Sequence, residues 1–108
     1  MPILDILNSI YILFSMWEVY EHKKATKQLK KIPVEILMKY EKWKDIVTIS
    51  GSEGLKLIKG FNDEALSGEW EGHRSSRLNV QYRIIYKIEN EELYVKVFRV
   101  TAHDYRRN

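Results

Sequence analysis

The sequence contains no cysteine. That excludes disulfides, a cysteine-based zinc site and a thiol nucleophile, and it fits a reducing compartment. No apolar run is long enough to span a bilayer as a helix. The longest, "MPILDILNSIYILFS" over 1–15, has one charge, Asp5, with no basic lead and no small-residue cleavage site. No charged tail stands out: residues 1–54 carry eight Lys/Arg against seven Asp/Glu, and 55–108 carry ten against eight. The glycine patterns of dinucleotide folds, P-loops and nucleophile elbows are missing. His22, His73 and His103 lack metal-ligand spacing, and no carboxylate pair is set out for glycosidase-like work.

What is there suits one soluble α+β domain. The chain has 108 residues, 44% hydrophobic and 31% charged, with a net charge of +3 and a pI near 9.1. This mild basicity is compatible with nucleic acid or an acidic protein. Residues 1–15 have three readings: an element packed on the core, an interfacial segment, or an extension ahead of a domain that begins at Met16. "MWEVYEH" (16–22) reads as a strand. In "HKKATKQLKKI", Ala25, Leu29 and Ile32 recur at helical spacing among lysines. Pro33 closes that helix and suits the first turn of the next. Over 33–49, Ile36, Tyr40, Trp43 and Val47 form a helical stripe backed by Leu37 and Ile46, so the aromatics belong to a core. "SGSEG" (50–54) breaks the chain, and "LKLIKGF" (55–61) is short and apolar. Turn signals at Ser67-Gly68 and Glu71-Gly72 precede three strand-like runs, 73–79, 81–88 and 93–100, the last two joined through "ENEE" (89–92). The order β-α-α-β-β-β predicts a helical hairpin laid on one face of an antiparallel sheet.

Alternation along the strands sorts the polar residues. Tyr82, Ile84, Tyr86 and Ile88 share the face that meets the helices. Gln81, Arg83, Ile85 and Lys87 share the other, and on the strand before, His73, Ser75 and Arg77 share a face. Pairing through a turn at Asn79-Val80 sets Arg77 beside Arg83. Two such guanidiniums either reach solvent and glutamate partners or hold an anion between them, and phosphate suits that place. In "VTAHDYRRN" (100–108), His103 is a proton-transfer candidate and Tyr105 a hydroxyl partner, unless the segment is simply a solvated terminus. Arginines, a histidine and a tyrosine can cleave RNA without a metal: a base takes the 2′-OH proton, arginines hold the phosphorane charge, and an acid protonates the 5′-oxygen.

Leu66-Ser67-Gly68, the Arg-Ser-x-Arg-Leu run at 74–78, Tyr82-Arg83 with its apolar sequel and the terminal His103-Asp104-Tyr105 resemble, in order and spacing, the RelE/ParE superfamily of toxins from bacterial toxin–antitoxin pairs. The likeness is greatest to the RelE, YoeB and HigB branches and covers about 16–107. "HKKATKQLKKIP" is similar to the family's first helix. The resemblance implies an N-terminal strand and helical hairpin on a small curved antiparallel sheet, spanning 16–108. It implies a metal-independent, cofactor-free endoribonuclease that cuts mRNA on the ribosome and binds a cognate antitoxin as a hetero-oligomer in the cytoplasm. Arg83 matches the arginine that stabilises the phosphate, Arg77 a neighbouring basic position, and His103 with Tyr105 the acid/base region. Lys59 and Arg74 fall where members present basic residues to RNA, and His73, Arg106 and Arg107 are grouped with them. YoeB-like members use a glutamate base upstream of the Leu-x-Gly turn, and Glu64 stands nearby. RelE itself lacks the histidine, so the division of base and acid stays open. The alternative is a ParE-like toxin that binds and poisons DNA gyrase without chemistry of its own.

Overall fold

The computed structural model describes residues 17–89 and 94–102. Strand β1 (Glu18–Glu21) leads into helix α1 (Lys23–Leu29) and then α2 (Val34–Ser50). A short α3 (Ser52–Lys56) and a 3-10 turn at Lys59–Phe61 lead to β2 (Glu64–Ala65). A second 3-10 turn (Gly68–Trp70) precedes β3 (Arg74–Arg77), β4 (Arg83–Glu89) and β5 (Tyr94–Thr101). The sheet runs β1-β5-β4-β3-β2. The expected α+β arrangement is present, with one correction: the sheet is mixed rather than antiparallel throughout, because β1 joins β5 in parallel. A strand followed by helices can reach the far edge of the sheet in that sense, which a tight hairpin cannot. The apolar 55–61 run divides between the end of α3 and the first 3-10 turn.

α2 forms where its stripe predicts. Ile36, Tyr40, Trp43 and Val47 are all buried, with Leu37 and Ile46 half-buried beside them. Pro33, without an N–H to satisfy, caps the start, and its carbonyl accepts from the amides of Ile36 and Leu37. Gly51 ends the helix at φ 61°, ψ −144°, a conformation in which a Cβ is strained, and its own amide returns to the Val47 carbonyl. A Cβ at Gly51 would also lie 2.7 Å from the Trp17 ring.

The core lies between the helices and one face of the sheet. Ile84 and Tyr86 of β4 and Val95, Val97 and Val100 of β5 meet the α2 stripe and Ala25. Tyr40 stacks on Trp43 at 5.9 Å, and Trp43 meets Tyr86 edge to face at 5.1 Å. β3 is shorter than the expected 73–79. Its turn is fixed by Asn79, whose side-chain oxygen accepts from the amides of Gln81 and Tyr82 while the Leu78 amide reaches the Tyr82 carbonyl.

Candidate nucleic-acid interface

The sheet face turned away from the helices carries the cations. Register sets Ser75 opposite Ile85 and Glu64, and Ile85 opposite Arg99. The β4–β5 ladder shifts between Ile85 and Tyr86, so that Val97 pairs with Tyr86 while Arg99 pairs with Ile85. Phe98 is therefore the extra residue of a bulge. The bulge lets Val95, Val97 and Val100 all enter the core while Arg99 turns outward, a placement that strict alternation would forbid.

On this outer face the rings form a connected group. Trp70 meets His73 edge-on at 5.2 Å, His73 meets Phe98 edge-on at 4.8 Å, and His22 stacks on Phe98 at 5.9 Å. Arg99 lies over Trp70 and Lys96 over Phe98, each 5.5 Å from the ring centre. Such cation–ring pairs hold cations above an apolar floor, and the same pairing of aromatics with cations serves single-stranded nucleic acid. Desolvation, followed by the charges of Arg99, Lys96, Lys23 and Lys24, pushes the His22 imidazole below its ordinary pKa. Its Nδ1 accepts from the Lys24 amide and caps α1.

Beside the rings lies Arg83. Its Nη1 donates to Ser75 Oγ at 3.4 Å and stands 3.9 Å from Glu64 Oε1. The Arg83 side chain is 20% exposed and Glu64 39%, so the pair is partly exposed, while Ser75 and Ile85 beside it are buried. A guanidinium held beside a carboxylate provides a charge stabiliser and a proton acceptor within one ligand's reach.

The other expected site residues fall in different places. Arg77 is the register partner of Arg83, as the turn predicted. Arg77 also borders a cavity with Lys39 and Lys42, whose lining among the described residues does not include Arg83. Arg74 lies with Ser76 on the helix side. Its Nε and Nη2 donate to Asp63 Oδ1 at 2.8 and 2.6 Å. Asp63 Oδ2 accepts from Ser76 Oγ at 2.6 Å and from the Tyr86 hydroxyl, and Ser76 in turn accepts from Trp43 Nε1 at 2.9 Å. Burial, then the hydrogen bond and charge of Asp63, push the Tyr86 hydroxyl well above its usual range. Desolvation disfavours the Arg74 charge, but bonding to Asp63 outweighs it and raises its pKa. Lys59 is exposed, and His73 joins the ring group. His103, Tyr105, Arg106 and Arg107 lie outside the described residues. Sequence reasoning passed over His22, Trp70, Lys96, Phe98 and Arg99 as site residues. The signal was the alternation of cations and aromatics in "YVKVFRV", readable only once the bulge is known.

No family model matches the sequence, and no curated protein matches it. Solved structures do match the fold. An archaeal RelE in complex with RelB from Pyrococcus horikoshii OT3 superposes with a TM-score of 0.65 at 22% identity, covering 80% of this chain and 93% of that one. The YoeB dimer from Staphylococcus aureus gives 0.66 at 16% identity, covering 82% and 99%. The RelBE2 toxin–antitoxin complex of Mycobacterium tuberculosis gives 0.59 at 24%, covering 80% and 96%. The chain has the fold of the RelE and YoeB toxins.

Proposed function

We propose that this chain is the toxin of a toxin–antitoxin pair, an endoribonuclease that cuts mRNA on the ribosome and is held in check by a cognate antitoxin. The observation that carries this reading is the outer face of the sheet. Arg83 stands beside Glu64 there, next to a group of rings overlaid by Arg99 and Lys96, in a chain with the fold of RelE and YoeB. The solved relatives named as RelE–RelB and RelBE2 complexes support an antitoxin partner.

In the proposed reaction the RNA bases lie on the Phe98, His73 and Trp70 rings, and Arg99 and Lys96 meet the backbone charge. The Glu64 carboxylate takes the 2′-OH proton. The 2′-oxygen attacks the phosphorus in line, Arg83 holds the charge that develops on the phosphorane oxygens, and the 5′-oxygen leaves with a proton. His103 and Tyr105, from the sequence motif, are assigned to that last transfer. The products are a 2′,3′-cyclic phosphate and a free 5′-hydroxyl, and no step calls for a metal.

The test is to map mRNA 5′ ends after brief expression and to measure single-turnover cleavage of ribosome-bound mRNA. Arg83→Ala should lose about 100- to 1000-fold in rate, as for one lost transition-state donor. Glu64→Gln should lose about 100- to 10,000-fold, as for a lost proton acceptor. Arg83→Lys keeps the charge without the planar fork and should not restore the rate. Intact mRNA together with a DNA-damage response would instead support the gyrase-directed alternative. An antitoxin encoded beside this gene is expected, and its co-expression should rescue growth.

A further inference from the structure

The proposed reaction leaves Arg77 without a role. β2 covers β3 only at Arg74 and Ser75, so the sheet edge is open beside Ser76 and Arg77. A cavity of about 240 Å³ lies between that edge, α2 and residues 58–61. Lys39, Lys42 and Arg77 bring cations to it, Ile58, Phe61 and Leu78 line its apolar side, and among the described residues no carboxylate lines it. Among the described residues, none of the three cations has an ion-pair partner. The Arg77 Nε is buried and makes no hydrogen bond. A charged donor withdrawn from water without an acceptor is costly, and like charges gathered in one cavity repel. Both costs are removed by an anion.

We propose that this cavity binds a nucleotide phosphate, its oxygens held by Arg77, Lys39 and Lys42 and its sugar or base laid against Phe61 and Ile58. A phosphate offers more acceptor oxygens than a carboxylate and so suits a cavity bordered by three cationic residues, two of them exposed lysines. The apolar side favours a phosphate that carries an organic body over inorganic phosphate. The volume lies below that of pockets for drug-sized ligands, which suits one nucleotide unit rather than a dinucleotide. That unit is a free mononucleotide or one residue of an RNA strand, and the chemistry of recognition is the same. The lining shares no residue with the Arg83–Glu64 pair, so the site stands whether or not that pair cleaves RNA.

The test uses the intact ¹⁵N-labelled chain and follows the Arg77 Nε–Hε resonance during titration with inorganic phosphate, adenosine monophosphate, a short single-stranded RNA and an acidic peptide. Adenosine monophosphate should shift that resonance and bind about tenfold more tightly than inorganic phosphate. Lys39→Ala and Lys42→Ala should each weaken it about tenfold. Gly60→Glu is a second route, because a Cβ at Gly60 meets nothing within 4 Å. It should keep the melting temperature, set a carboxylate at the rim and abolish nucleotide binding. RNA that competes with the mononucleotide would identify the source as a strand, and RNA that does not compete would identify it as the free nucleotide. No shift up to about 10 mM mononucleotide, binding untouched by all three variants, or tighter binding of the acidic peptide would each overturn the proposal. Running the titration in Arg83→Ala separates this outcome from any failure of the cleavage reading.

Discussion

Asp63 gathers the donors of three strand residues onto one carboxylate: Arg74, Ser76 and Tyr86. Through Ser76 it also reaches Trp43 of α2. Its side chain is fully buried while that of Arg74 is 22% exposed, so removing the carboxylate leaves a largely buried guanidinium and a buried hydroxyl without their acceptor. Asp63→Ala should therefore cost about 3–5 kcal/mol, the usual penalty for breaking a buried pair from one side. Urea unfolding followed by tryptophan fluorescence measures it, and a loss below about 1 kcal/mol would mean that water replaces the carboxylate. The strand alternation that groups His73, Ser75 and Arg77 already places Arg74 on the opposite, helix-facing side. Motif spacing pointed it at RNA; the face parity, followed through, points it at Asp63. Asp63 itself had no legible signal, because a buried carboxylate in "GFNDEA" looks like any loop acid until its donors are known.

At the scale of elements, caps and one bulge decide what the strands and helices present. The α2 stripe was readable because four large residues at helical spacing have a single solution. The bulge was not, because "VKVFRV" fits a plain strand equally well and the extra residue is chosen by packing across the ladder. The cap of α1 gives a pH-dependent prediction. His22 Nδ1 must be unprotonated to accept from the Lys24 amide, and its folded pKa lies below the ordinary value. A depressed folded value means that the unfolded chain binds the proton more readily. This contribution to stability is thus present above the unfolded value, about 6.5, and is lost as pH falls through the folded one. Urea midpoints measured from pH 7 down to pH 5 should fall, and His22→Asn, which caps without titrating, should flatten that part of the profile. An unchanged slope in His22→Asn would assign the acid sensitivity to other groups.

For the whole molecule, the order of elements, the core stripe and the Arg77–Arg83 register were legible, because each follows from local periodicity and one turn. The parallel edge strand, the two-residue β2 and the cavity beside Arg77 depend on distant segments meeting, which no local pattern records. The same distinction bears on residues 1–15. The described domain closes from Trp17 onward: its amide donates to the Thr48 carbonyl at 3.0 Å, its ring packs on Gly51, and β1 pairs with β5. The RelE, YoeB and RelBE2 structures that share the fold cover 80–82% of this chain but 93–99% of their own. A chain that starts at Met16 should therefore fold and, if the proposed function holds, inhibit growth to the same extent as the full chain. Thermal melts of the two chains, with growth after induction, provide the comparison. A fall of more than about 5 °C, which is roughly 1 kcal/mol for a domain of this size, would make the segment part of the core. An unchanged melt with lost growth inhibition would give it a role outside folding.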